Sequence, residues 1–100
     1  MSNVEGIMEN MVGPVLRGGD IAEAAVEAMI VDNPGKNVKV DDHKTYVRVS
    51  VDRECLIKAA TMSEILGRPF EMQELEINMS AFAGQIETTE SYMRFYLNSA

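Results

Sequence analysis

The clearest pattern along the chain is a strict alternation over Tyr46 to Val51. Val47, Val49 and Val51 fall on one side, and Tyr46, Arg48 and Ser50 on the other. A period of two marks a strand with one buried face. Tyr92 to Leu97 repeats the pattern, with Met93, Phe95 and Leu97 on the apolar side. Shorter apolar stretches at Val12–Arg17, Ile30–Asp32, Val38–Val40 and Cys55–Ala59 read as further strands. Pro14 lacks a backbone N–H and so predicts an edge or strand-start position for the first of them. From Leu75 the residues Leu75, Ile77 and Met79 alternate with Glu74, Glu76, Asn78 and Ser80, which predicts another strand. The phase then flips, since Phe82, Gly84 and Ile86 become the larger or special positions. A one-residue phase change inside a strand predicts a β-bulge near Ser80–Ala81.

Two segments follow the helical period instead. Ile21, Ala24, Ala25, Ala28 and Met29 make one apolar face, behind Asp20 as N-cap and Glu23 in the capping-box position. Glu23 and Glu27 lie off that face, as a solvated or a docking stripe. Met62, Ile65 and Leu66 make a second face, capped by Thr61 with Glu64. Gly67 and Pro69 stop that helix. Asn33-Pro34-Gly35-Lys36 fits a type II turn, Asp41 to Lys44 a polar turn, and Glu87 to Ser91 a loop. The expectation is a single α+β domain over residues 12–100, with two short helices packed on about seven antiparallel strands. Residues 1–11 read as a mobile arm. Its Val4, Ile7, Met8 and Met11 are spaced i, i+3, i+4, i+7, a face that orders as a helix against a partner.

Composition narrows the function more than it changes the fold. Apolar residues make up 46% and charged ones 25%, enough to build a core without a metal or disulfide staple. The net charge of −7 argues against nucleic acid, which is bound by neutralising phosphates, and against anionic membrane surfaces. No apolar run approaches the ~18 residues of a membrane span. The first eleven residues carry no signal-peptide pattern. One cysteine rules out an internal disulfide and fits the cytoplasm. His43, among Asp41, Asp42 and Lys44, belongs to a solvated turn rather than to a base or ligand set. Cys55, flanked by Leu56 and Ile57, reads as a buried thiol. One Cys and one His within the chain cannot supply the four Cys or His ligands of structural zinc or the cysteines of an iron–sulfur cluster. Gly18-Gly19 lacks any phosphate-loop motif, and Asp20 would repel an anion. Glu71, Glu74 and Glu76 read as a charged rim. Met8 and Met11, among eight methionines, favour an adhesive arm. The residues therefore indicate no cofactor and a protein that acts by binding. A small cofactor-free enzyme and an adaptor for an unrelated protein are the competing readings.

The motifs VGPVLRGGD (12–20), DNPGK (32–36), YVRV (46–49), LGRPFEMQELEINMSAFAGQIE (66–87) and RFY (94–96) stand in an order and spacing that closely resembles the effector subunits of toluene monooxygenases. These belong with the regulatory, or coupling, proteins of phenol hydroxylase and methane monooxygenase. The resemblance implies a non-catalytic protein without cofactor, which binds a di-iron hydroxylase above its buried active site. It implies effects on active-site geometry, turnover, coupling and regiospecificity, and a monomer when free. Contact residues come from shape rather than from the resemblance. Asn33 and Gly35 are expected on a protruding turn. Asn78, Ser80, Phe82 and Gly84 surround the expected bulge, where small and amide side chains allow close approach. Met8 and Met11 join them from the arm. Deleting Met1–Asn10 is expected to leave the melting temperature nearly unchanged and to weaken complex formation or coupling, measured by thermal unfolding and by product formed per reductant consumed.

Overall fold

The computed structural model describes residues 10–97. The expected arm face of Val4, Ile7 and Met8 lies outside the described residues. Met11, assigned above to the arm, instead opens the first strand opposite Asp52. The Asn10 carbonyl accepts a bond from the Arg53 N–H, so the hydrogen-bonded backbone begins before Val12.

The elements are β1 (Met11–Arg17), α1 (Asp20–Asp32), β2 (Lys39–Asp42), β3 (Tyr46–Asp52), β4 (Glu54–Lys58), α2 (Ala59–Leu66), α3 (Met72–Asn78), β5 (Met79–Ala83), β6 (Gln85–Thr88) and β7 (Tyr92–Tyr96). They form one four-stranded sheet, β2-β3-β1-β5, and one three-stranded sheet, β4-β7-β6. Every strand pair is antiparallel. The α+β architecture with seven strands is as expected, but the described residues hold three helices rather than two. The core lies between the sheets and the helices. Val12, Leu16, Val49 and Val51 supply it from the first sheet, and Cys55, Ile57, Met93 and Phe95 from the second. Ala25, Ala28, Met29, Met62 and Leu75 close it from the helices.

Pro14 does not sit on an edge. β1 is an interior strand, paired with both β3 and β5. The conflict is resolved by a gap. The β1–β3 ladder pairs Val12 with Val51 and resumes at Val15 with Arg48, leaving Gly13 and Pro14 unpaired on that side. Gly13, at φ 145°, carries no side chain because a Cβ would collide with the Val49 carbonyl oxygen. The missing proline N–H therefore breaks no bond in the ladder with β3.

The caps also differ from expectation. Asp20 is the first helical residue and Gly19 the N-cap of α1, with no side-chain cap bond. Residues 30–32 continue α1 rather than forming a strand. α2 starts two residues before Thr61, with Lys58 as N-cap. The Thr61 hydroxyl is engaged elsewhere, donating to Asp32 Oδ1 at 2.8 Å. Asp32 Oδ2 accepts from the Lys58 N–H at 2.8 Å. Gly67 ends α2 in the left-handed region at φ 72°, as its position predicts.

The turn after α1 forms as read, with Gly35 at φ 80° and Lys36 N–H bonded to the Asn33 carbonyl at 3.1 Å. Asn33 itself does not protrude. It is 7% exposed. Its amide nitrogen donates to the carbonyls of Met29 at 2.6 Å and Leu56 at 2.9 Å, and its Oδ1 accepts from the Leu56 N–H at 2.9 Å. Lys36 adds a second tie, its ammonium donating to the carbonyls of Asp52 and Glu54. Asn33→Ala would leave both polar groups of Leu56 without this partner. We expect it to lower the unfolding free energy by about 2 kcal/mol, measured by urea denaturation.

Candidate partner-docking surface

The segment from Arg68 to Gly84 builds the surface around the expected bulge. Glu71 and Glu74 close a capping box at the start of α3. Arg68 holds Glu74 at 3.0 Å, and this hydrogen bond keeps the Glu74 carboxyl below its ordinary range. Met72 and Leu75 anchor the helix in the core, while Ile77 is 71% exposed. This is where the alternation misled. Leu75 and Ile77 mimic a strand face, yet only Leu75 is buried. The three-residue spacing of Met72 and Leu75, with the capping box, was the helical signal.

α3 runs directly into β5, since Met79 is both the C-cap and the first strand residue. β5 forms an edge of the four-stranded sheet. Its register against β1 pairs Gly13 with Ala83, Pro14 with Phe82 and Val15 with Ala81, then skips to Leu16 with Met79. Ser80 is the extra residue, so the expected bulge is present at the expected place. Its hydroxyl donates to the Val15 carbonyl at 3.4 Å. The bulge puts Met79 and Phe82, three residues apart, on the same face as Leu16 and Pro14. Phe82 therefore turns toward the core at the sheet edge. Its ring lies 6.0 Å from that of buried Phe95, but remains 43% exposed. Asn78 Oδ1 is shielded from solvent and meets no hydrogen-bond donor among the described residues, an arrangement that costs free energy until a donor arrives.

Gly84 carries the chain from one sheet to the other at φ 94°. A Cβ there would fall 2.6 Å from Val12 Cγ1 and 2.8 Å from the Tyr96 carbonyl oxygen. The structure thus brings Asn78, Ser80, Phe82 and Gly84 into one continuous segment and sets Gly84 against β1 next to Met11. Gly35 lies apart from that segment, on the exposed turn tied by Lys36 to the β3–β4 corner. Asn33 lies beneath that turn as an internal strut.

The other sequence candidates separate cleanly. Cys55 is fully buried, and burial pushes its thiol up to about 12, against a smaller opposing effect of Lys36. His43 is exposed, 3.0 Å from Asp41 and stacked on Tyr46. Among the described residues, no group of three or more His, Cys, Asp and Glu side chains is placed to hold a metal ion. No helix among them is long and apolar enough to cross a membrane.

Residues 10–96 match the model of the MmoB/DmpM family. The chain belongs to that family. It is 45% identical over 101 residues to the effector subunit of the alkene monooxygenase system of Xanthobacter autotrophicus strain Py2, covering 99% of this chain and 100% of that protein. It is 29% identical to DmpM, the stimulatory component of phenol 2-monooxygenase from Pseudomonas sp. strain CF600, over 90% of this chain and 96% of the relative. Among solved structures, a chain of a phenol hydroxylase–regulatory protein complex superposes with a TM-score of 0.77 at 26% identity, covering 88% of this chain and 99% of that one. The soluble methane monooxygenase regulatory protein B shares the fold, with a TM-score of 0.63 at 22% identity over 87% of this chain and 64% of that protein.

Two outcomes are expected from this geometry. Gly84→Ala is both strained and sterically blocked, and should cost more than about 2 kcal/mol in chemical denaturation. Cys55, being neutral at pH 8, should resist iodoacetamide in the native protein and react readily once urea exposes it, followed by mass spectrometry.

Proposed function

We propose that this chain is the effector subunit of a multicomponent monooxygenase, a cofactor-free protein that binds the hydroxylase component and changes its turnover. The observation that carries this reading is similarity along the whole chain, at 45% identity, to a protein named as such an effector. The relatives are named effector, stimulatory or regulatory components, which supports a non-catalytic role. Among the described residues no clustered set of chemical groups argues otherwise: Cys55 is buried and neutral, and His43 is solvated.

The partner is a di-iron hydroxylase, met by the exposed β5 segment. Phe82 offers a half-buried ring to a pocket, Ser80 and Gly84 let backbone approach, and Asn78 flanks them at the start of the segment. Met8 and Met11 add contacts at the start of the chain, and Gly35 at its exposed turn. The effector is a monomer when free and works in the cytoplasm, where an unpaired thiol persists. The hydroxylase acts on small hydrocarbons of the aromatic, toluene type. Binding changes rate, coupling and regiospecificity because the effector holds one conformation of the hydroxylase more tightly than the others.

Titrating the protein into its reconstituted hydroxylase and electron-transfer components should raise product formation and coupling, saturating near one effector per active site. Rate, coupling and product distribution that stay flat across the titration would reject the reading. Phe82→Ala, checked for folding by circular dichroism, should require about tenfold more protein for half-maximal stimulation.

A further inference from the structure

A second surface lies on the opposite edge of the larger sheet from β5. Val40 of β2 pairs with Val49 and so lies on the core-facing side of the sheet. Val49 is 1% exposed, but Val40 is 43% exposed, because α1 does not reach the outer strand. The space between helix and hairpin is an open groove of about 610 Å³. Ala22, Val26, Val40 and Val47 give it an apolar floor. Along the α1 rim run Glu23 and Glu27. The facing rim carries Asp42 and Lys44. α1 as a whole holds Asp20, Glu23, Glu27 and Asp32 and no basic residue. An apolar floor left open beside an acidic helix rim is unusual for a surface without a partner.

We infer that this groove docks a basic, apolar-anchored segment of the hydroxylase, separate from the contact made by β5; this rests on the effector reading above. Charge decides the occupant. A second copy of this chain would bring acidic rim to acidic rim in a protein of net charge −7, which like-charge repulsion opposes. A segment with Lys or Arg flanking one or two apolar side chains meets the carboxylates of Glu23, Glu27 and Asp42 and covers the floor. Lys44 is the one rim group that opposes such a segment, so its removal has the opposite sign from removal of the acids.

The test is affinity for the cognate hydroxylase by isothermal titration calorimetry, at low and high salt, using folded full-length variants. Glu23→Lys/Glu27→Lys should weaken binding about tenfold or more at low salt, with the loss shrinking at high salt. Val40→Ser should weaken it several-fold at both salt concentrations. Lys44→Gln should tighten it about two- to threefold at low salt, a change that a loss of folding cannot produce. If all three variants bind within twofold of the unaltered protein while Phe82→Ala is impaired, the groove proposal is overturned and the effector reading stands. If the unaltered protein neither binds nor stimulates the hydroxylase, the effector reading falls, and the groove proposal with it. Self-association of the free protein in sedimentation, abolished by Val40→Ser, would assign the groove to a second copy and also overturn the proposal.

Discussion

The Asn33 side chain fixes the end of α1 to β4, with Oδ1 accepting from the Leu56 N–H and Nδ2 donating to the Leu56 carbonyl. This pairing copies a strand–strand exchange with a single side chain. Asp32, one residue earlier, accepts from the Lys58 N–H at the end of β4 and from Thr61 in the first turn of α2. Two adjacent polar residues therefore set where the smaller sheet and the second helix lie relative to the first helix. The apolar core supplies most of the driving force, but it is non-directional. The amide and the carboxylate choose among the packings that the core would tolerate.

That dependence explains which parts of the fold were legible in the sequence. Local rules read local features well. The turn at Asn33–Lys36 rests on proline and glycine dihedrals, and the stop at Gly67 on its left-handed backbone. The alternation in β3 and the bulge at Ser80 follow from the two-residue period. The failures involve either a distant partner or an apolar side chain left in solvent. Thr61 looks like a cap, but its hydroxyl bonds to Asp32, which is remote in sequence. Ile30 and Val31 look like a strand because both are β-branched, yet α1 continues until Asn33 turns inward. Pro14 looks like an edge residue, and only the gap opposite β3 lets it sit inside the sheet. α3 was hidden by Ile77, an apolar side chain that faces solvent.

The candidate site was legible where it depends on the bulge and illegible where it depends on burial. Ser80, Phe82 and Gly84 are drawn together by continuity of chain, which sequence shows directly. Asn33 shares the residue type of Asn78 and sits in a turn, so composition ranks them alike. The structure separates them: the Asn33 amide is consumed internally, while the Asn78 carbonyl oxygen has no donor among the described residues. The two surfaces also differ in character. β5 is uncharged and presents an aromatic ring, suited to contacts that salt does not screen. The groove beside α1 carries three carboxylates and one ammonium group at its rim, suited to steering and orientation.

The extra residue at Ser80 has a consequence for how such chains diversify. Because side chains alternate across a strand, the distance from Met79 to Phe82 is counted in whole residues. Losing one residue between them would turn Phe82 away from Phe95 and rotate another side chain into its place, without altering the composition of the segment. A gain of one residue would do the same. Substitutions at this edge would adjust the size and polarity of what is presented, whereas a single-codon deletion would exchange one presented side chain for another in a single step. Related chains that differ in length here are thus expected to differ in partner choice more sharply than their percentage identity suggests.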